Sequence, residues 1–235
     1  MVRTSIIVPT YLEAGNLPKL VEEIHDVLKE NFEITIVDDN SPDGTAEVAE
    51  KLSKTYGNIN IVRRPFKMGI GSAIKEGFKV SKGNLIVQMD ADFSHNPRDL
   101  PRLLHAADHA DIVLGSRRVS GGRIIGWGLY RNMVHMGANK LSRLILGLNI
   151  KDATSGFKAY RRDAFLALAS RSHFNSFADF DQECLCLARR LGLKVAEVPI
   201  TFVSRIEGES KLGLRDILAF IKAIFKLRLR LLQSG

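Results

Sequence analysis

Two cysteines, one tryptophan and no apolar run long enough for a bilayer are what this 235-residue chain offers where other proteins keep staples or anchors. Cys184 and Cys186 stand two apart in a predicted helix, where such positions do not share a face. They read as buried thiols rather than a disulfide or a metal pair, in keeping with a reducing compartment. No stretch approaches the roughly 18 consecutive apolar residues of a membrane span. The opening MVRTSIIVPT has too short an apolar run before Pro9 for a secretory signal and reads as a first strand. A cytosolic location is expected. Nothing resembles a nucleic-acid-binding module either.

What is present is an uneven charge. Residues 1–117 hold 14 Lys and Arg against 17 Asp and Glu, net −3, whereas residues 118–235 hold 20 against 9, net +11. The second half calls for an anionic partner: nucleic acid, a membrane surface or a phosphorylated substrate.

The first half alternates between two periodicities. SIIVP (5–9), EITIVDD (33–39), NINIVRR (58–64), NLIVQMD (84–90) and ADIVLGSR (110–117) read as strands. Helical patterns lie between them, through Leu17–Leu28, across 45–56, across 71–80 and from about Arg98. This alternation predicts an α/β fold with a mostly parallel central sheet and helices on both faces. In such sheets ligands sit outside the carboxyl ends of the strands, where the strand order reverses. The polar, acidic segments PTYLE (9–13), VDDNSPDG (37–44), MDADFSH (89–95) and GSRRVSGG (115–122) occupy those ends.

Within VQMDADFSHNP (87–97), Asp90 and Asp92 share a face if the extended chain persists past Met89. Two like charges that close need a counter-charge, and a hard divalent cation held with substrate phosphates supplies one. A solvated turn is the plainer reading, since Asp, Ser, Asn and Pro are all turn residues; the position at a strand's carboxyl end favours the ligand site. Gly69 and Gly71 in FKMGIGSAIKEGF (66–78) suit either a phosphate at a helix N-terminus or a tight strand-to-helix turn.

Beyond residue 117 the spacing predicts helices over 128–148 and 180–192, a loop and strand over 152–162, a strand over 194–203 and a polar loop over 204–213. Arg131 and His135, four apart, share a helix face. The final segment, 214–232, sets Lys222, Lys226 and Arg230 opposite Leu214, Ile217, Leu218, Ile221, Ile224 and Phe225. That amphipathic helix suits a membrane interface or packing on its own domain.

PTYLEAGNL, VDDNSPDGT, MDADFSHNP, GSRR, YRNMVHMGAN, TSGFKAYRR and EVPITFVSRIEGESKLG occur in this order over nearly the whole chain. Together they resemble family 2 glycosyltransferases of the Rossmann-like GT-A fold, and among these the dolichyl-phosphate mannosyltransferases. The resemblance implies a single catalytic domain over 1–213, with a nucleotide-sugar half (1–117) and an acceptor half (118–213), followed by the helix of 214–235. It implies that Pro9, Tyr11, Glu13, Val37 and Asp39 line the nucleotide pocket. Asp90, Ala91 and Asp92 would meet the diphosphate, the two carboxylates holding Mg2+ or Mn2+ with Ser94 as a further ligand. Arg117 would face the reacting phosphate, Arg131 and His135 would clamp the acceptor phosphate, and Arg205 and Lys211 would close over the donor.

The implied reaction moves mannose from GDP-mannose to dolichyl phosphate with inversion. The enzyme would sit peripherally on the cytoplasmic side of a membrane, with a small membrane-anchoring subunit as a further partner. A UDP-sugar donor such as UDP-glucose is the near alternative. A phosphatase of the haloacid-dehalogenase type also carries D-x-D, but after its first strand. A nucleic-acid binder would explain the +11 half without a site.

Overall fold

Runs rich in isoleucine and valine form the centre of the molecule. The computed structural model describes residues 3–171, 180–204 and 213–233. In the first half, strands β1 (Thr4–Thr10), β2 (Phe32–Asp38), β3 (Ile59–Arg63), β4 (Leu85–Gln88) and β5 (Ile112–Ser116) alternate with helices α1 (Leu17–Leu28), α2 (Thr45–Tyr56), α3 (Ile70–Val80) and α4 (Leu100–Ala106). Every residue of β2, β4 and β5 is buried, as expected for strands covered by helices on both faces. The second half adds β6 (Arg123–Ile125), α5 (Leu129–Leu146), β7 (Lys158–Arg161), α6 (Arg162–Ala169), α7 (Phe180–Arg190), β8 (Val195–Pro199), β9 (Thr201–Val203) and α8 (Leu214–Gln233).

The main sheet runs β3-β2-β1-β4-β7-β5-β8. All its pairings are parallel except those of β7, which is antiparallel to both β4 and β5. The mostly parallel α/β sheet expected from the alternation is thus present, with one inverted strand in the middle. Strand order reverses between β1 and β4, so the ligand crevice of such a sheet opens where Thr10 and Gln88 end their strands.

Two cores lie on the two faces. Ile6, Val8, Ile34, Ile36 and Val87 pack with α1, α2 and α4, while Ile7, Val37, Ile86, Ile112 and Tyr160 pack with α3, α6, α7 and α8. Helix α3 lies close on the sheet because Gly77 leaves no room for more; a Cβ there would stand 2.5 Å from Ile7 and 3.0 Å from Val37.

Three features depart from the pattern read in the sequence. The strand expected over 194–203 changes sheets at Ile200: β8 pairs with β5, and β9 pairs in parallel with the unforeseen β6. Ile200 makes the switch, its amide donating to the Ser116 carbonyl and its own carbonyl accepting from the Arg123 amide. An unforeseen helix, α6, follows directly on β7. Lastly, α8 both packs and stays exposed: Ile224 and Leu227 are buried in the core, while Leu218, Phe225 and Leu229 face outward. Arg230, expected on the basic stripe, instead approaches Glu183 of α7 at 3.7 Å. Both cysteines are free and buried on α7, where burial pushes the Cys186 thiol up to about 12.

Candidate active site

At the crevice, β1 and β2 end side by side, pairing Pro9 with Val37 and Thr10 with Asp38. The adjacent aspartates divide their roles. Asp38 is buried and accepts from Thr10 Oγ1 (3.1 Å), Ser41 Oγ (2.6 Å) and the Ser41 amide (3.0 Å), so it builds the turn. Asp39 is the outward one, ion-paired with Arg64 from the end of β3. Burial raises the Asp39 carboxyl above its ordinary range, with Arg64 opposing. Arg64 also donates to Ser72 Oγ at 3.0 Å, tying β3 to the first turn of α3.

Tyr11 is partly exposed beneath Lys67, whose Nζ lies 3.3 Å from the ring centre. Glu13 accepts from Asn16 Nδ2 at 2.7 Å. The side chain of Val37 belongs to the core, which leaves its backbone as what it can offer a nucleotide.

The D-x-D segment follows β4. Ladder pairing stops at Gln88, although the Met89 amide still donates to the Ile7 carbonyl at 3.1 Å. Met89 and Ala91 are both buried toward α1 and α4, so alternation persists and turns Asp90 and Asp92 to the other side. The loop is then drawn in. Asp92 Oδ1 accepts from the Ser94 amide (3.0 Å), Phe93 takes a left-handed φ of 58°, and the Ser94 carbonyl accepts from the Val203 amide. Ser94 is buried and serves the turn through its backbone.

His95 pins the loop from below. Its ring stacks on Phe157 with centroids 5.0 Å apart, and its Nδ1 accepts from the Asp90 amide at 3.1 Å. Burial lowers the His95 pKa, which suits that acceptor role.

Among the described residues, no cluster of three or more His, Cys, Asp or Glu side chains could form a closed metal cage. Asp90 and Asp92 supply hard oxygen donors, while His95 Nδ1, 3.7 Å from Asp90 Oδ2, is committed to the Asp90 backbone amide. That donor set fits a Mg2+ or Mn2+ ion whose remaining ligands are phosphate oxygens and water.

Beside this loop lies a second, cationic site. Arg117, at the end of β5, is buried in a bidentate pair with Asp152: Nε to Oδ2 at 2.7 Å and Nη2 to Oδ1 at 2.8 Å. Asp152 is fully buried. Burial would raise its carboxyl, but the Arg117 hydrogen bonds and His135 hold it far below the usual carboxylate range. Glu197 of β8 supports this pair from behind, accepting from the amides of Lys151 and Asp152.

His135, which the resemblance places at the acceptor phosphate, has partners at both ring nitrogens. Its Nε2 lies 2.8 Å from Thr154 Oγ1, and its Nδ1 meets Arg118 Nη2 at 2.7 Å and Nε at 3.1 Å. Arg117 likewise commits Nε and Nη2 to Asp152 instead of presenting its whole guanidinium to a substrate. Arg131 lies over the Trp127 ring at 4.5 Å. Trp127 in turn touches His135 and Phe202, and Phe202 touches His95, so an aromatic chain joins the two sites.

An apolar cavity of about 740 Å³ opens from the second site between α5, α7 and α8. Arg131, His135 and Thr154 mark its polar end, and Val134, Leu141, Phe180, Ile217, Phe220 and Ile221 form apolar walls. Asp181 of α7 also lines it while ion-paired with Lys158, a fully buried lysine on β7.

Sequence reasoning passed over Arg64, His95, Arg118, Asp152 and Thr154. The second arginine of GSRR and the polar DATS run were visible signals; the partnering of His95 with its own loop was not. Arg205 and Lys211 lie outside the described residues.

An open, mostly parallel sheet with acidic loops at its switch point and a cationic pocket alongside defines an α/β protein with a crevice suited to anionic ligands. The model of glycosyl transferase family 2 matches residues 5–168, and the chain belongs to that family. An undecaprenyl-phosphate mannosyltransferase of Micrococcus luteus is 39% identical over 90% of this chain and 88% of its own length. A dolichol-phosphate mannosyltransferase of Pyrococcus furiosus is 38% identical over 96% of this chain, which spans 63% of that protein. A polyprenol monophosphomannose synthase of Mycolicibacterium smegmatis is 38% identical over 90% of this chain and 81% of its own length.

Among solved structures, a mannosyltransferase from Pyrobaculum calidifontis in complex with GDP-mannose and Mn2+ superposes with a TM-score of 0.69 at 18% identity, over 97% of this chain and 64% of that one. Mannosyl-3-phosphoglycerate synthase from Rubrobacter xylanophilus gives 0.71 at 18% identity, over 99% and 75%. The expected GT-A fold is therefore the fold observed.

Proposed function

We propose that the enzyme transfers mannose from GDP-mannose to a polyprenyl phosphate of the dolichyl type, with inversion. The observation that carries this reading is the apolar cavity with Arg131 at its polar end and Arg117 and Arg118 hydrogen-bonded to its lining residues Thr154 and His135, set beside the acidic switch point. A lipid phosphate has that shape: one anionic head on a long hydrocarbon. The polyprenyl-phosphate mannosyltransferases among the relatives support it.

The crevice residues Tyr11, Glu13 and Asp39 would hold the nucleotide, Asp39 being fixed by Arg64. Asp90 and Asp92 would hold Mg2+ or Mn2+, which when bound neutralises charge on the leaving diphosphate. Arg117 and Arg131 orient the acceptor phosphate and offset its repulsion from the donor. An oxygen of that phosphate forms the new bond to the anomeric carbon as the bond to the diphosphate breaks, and the electron pair leaves with GDP. The attacking oxygen is already anionic, so no strong base has to remove a proton. Arg205 and Lys211 would close over the donor.

Radiolabelled GDP-mannose and UDP-glucose, each offered with dolichyl and undecaprenyl phosphate with and without Mn2+, test the assignment. Mannose should enter the lipid phase only with metal, and the product's anomeric configuration should be opposite to the donor's. Preferential transfer from UDP-glucose would replace the donor assignment with the UDP-sugar reading.

The same lipid places the enzyme at a membrane surface. Among the described residues no helix is long and apolar enough to cross one. Yet Leu129, Met133, Met136 and Leu144 on α5 and Leu218, Phe225 and Leu229 on α8 are exposed, with Lys140, Arg143, Lys222 and Lys226 exposed among them. Apolar side chains flanked by lysine and arginine match an anionic bilayer interface. The protein should sediment with vesicles of mixed zwitterionic and anionic phospholipid and be largely released by about 0.5 M salt, where charges are screened beyond a few ångströms. Equal sedimentation with purely zwitterionic vesicles would remove the basic residues from the interaction.

A further inference from the structure

The described side-chain hydrogen bonds of Arg118 all go to neutral acceptors. Its Nη2 donates to Asn132 Oδ1 at 3.2 Å, and Nε and Nη2 both reach His135 Nδ1. Arg117, one residue earlier, has its charge matched by Asp152. A half-buried guanidinium hydrogen-bonded to neutral groups, with Asp152 acting on it only through space and already paired with Arg117, keeps donors and charge for an anion from outside.

The geometry also fixes the state of His135. A guanidinium can only donate, so Nδ1 must be the unprotonated acceptor, and the proton sits on Nε2 facing Thr154 Oγ1. Thr154 closes the chain, accepting from Arg117 Nη2 at 3.0 Å and donating to Asp152 Oδ1 at 3.2 Å. Asn139, buried one turn further along α5, donates to the His135 carbonyl at 3.1 Å. The bonds from Arg118 to Nδ1 and from Nε2 to Thr154 have a consistent direction only when the imidazole is neutral; Asn139 Nδ2, 3.2 Å from Nε2, is then a second donor and spends its protons on the His135 carbonyl and Thr154 Oγ1 instead.

Resting on the function proposed above, we infer that His135 is a positioning residue: as the neutral Nε2–H tautomer, itself lining the polar end of the cavity, it holds Arg118 beside that end as a further cation for the acceptor phosphate, and its protonation releases Arg118. A proton on Nδ1 would set a donor against two donors and a positive charge against another. The charged and titratable groups facing the ring are Arg117 and Arg118 after β5, Asp152 before β7, Arg131 on its own helix across Trp127, and Asp181 of α7 in the same cavity. The cavity residues from α8 are apolar. Burial lowers the His135 pKa below the ordinary histidine range, Asp152 pulls it up, and Arg117 and Arg118 push it further down. The neutral form is thus the resting one at neutral pH, and the acceptor site weakens only on acidification below the ordinary histidine range.

The test compares acceptor and donor KM across pH for the wild type, His135→Gln, His135→Ala and Arg118→Gln. Glutamine can accept from Arg118 and donate to Thr154 but cannot titrate. His135→Gln should therefore keep a low acceptor KM and lose the acidic rise in it that the wild type shows. Titration of the lipid phosphate itself is common to every variant and cancels in the comparison. His135→Ala and Arg118→Gln should each raise the acceptor KM about 10- to 100-fold, as expected for losing a charge-assisted contact, with little change in donor KM. Combining them should add little. An acidic limb identical in the wild type and His135→Gln, or an unchanged acceptor KM in Arg118→Gln, would overturn the inference.

Nitrogen NMR of histidine-labelled protein gives a readout that needs no turnover. It should show His135 as the Nε2–H tautomer at neutral pH, with its pKa raised in Arg118→Gln. An Nδ1–H tautomer or an unmoved pKa would refute the positioning role even if mannosyl transfer is confirmed. Absence of transfer to any polyprenyl phosphate would instead refute the functional reading while leaving the tautomer measurement to stand.

Discussion

Asp92→Asn is expected to reduce metal-dependent transfer by about 10²- to 10³-fold or more, the scale of removing one electrostatic stabiliser of the developing charge, while leaving the melting temperature close to that of the wild type. Asparagine preserves the local fold because its Oδ1 can still accept from the Ser94 amide, the bond that shapes the turn. It removes only the negative charge. Asp90→Asn should behave similarly, since its loop is held from outside the carboxylate, through the bond from the Asp90 amide to His95. The check is paired: turnover at saturating donor over a series of Mn2+ concentrations, and thermal unfolding of the same samples. Wild-type turnover in both variants would refute the metal assignment. A matching loss of stability would show the carboxylates to be structural, the solvated-turn reading.

The position of this pair was legible in the sequence because two local rules agree there. Alternation put Asp90 and Asp92 on one side, and the βαβ pattern put them at a strand's carboxyl end. Both rules depend on residues near in sequence, and both held past the last ladder bond because Met89 and Ala91 are buried on the opposite side. The second site was only half legible, for the converse reason. Arg117 and Arg131 could be singled out as cations, but what each one meets is decided by contacts between residues far apart in the chain. Asp152 reaches Arg117 across 35 positions, and Thr154 reaches His135 across 19.

The same distinction explains the fold. Parallel β1 to β5 follow from helices between successive strands. Antiparallel β7 does not, because a four-residue strand carrying Lys158 gives no local sign of the central slot it fills. That lysine is tolerated in the sheet because Asp181, from a helix 23 residues away, supplies its counter-charge. The three-residue β6 was hidden in a glycine-rich stretch, and the break at Ile200 became apparent only when its two backbone bonds pointed to different sheets.

Asp152→Ala should be the most destabilising single change at the site, because it leaves the buried Arg117 guanidinium without its counter-charge. Breaking one side of a buried ion pair costs about 3–5 kcal/mol, and about 2–4 °C per kcal/mol for a chain of this size gives a fall in Tm on the order of 10 °C. The Asp152 carboxyl is held far below its ordinary value, so its stabilisation is fully present above the unfolded value near 4 and is lost as the pH falls through the folded one. The gap between wild type and Asp152→Ala should therefore stay constant from about pH 5 to 8, in contrast to the acidic limb expected of His135. Stability and function can be separated with a second change. Arg117→Met added to Asp152→Ala removes the orphaned charge, and exchanging both members of a buried pair for apolar groups is often close to neutral. The double variant should regain most of the lost Tm without regaining transfer, because the acceptor phosphate then lacks Arg117 and the frame that aligns Thr154 with His135. Recovery of turnover along with Tm would show that Arg117 and Asp152 only hold the fold together. A single Asp152→Ala variant melting with the wild type would show that water reaches the guanidinium and that the pair is not closed in solution.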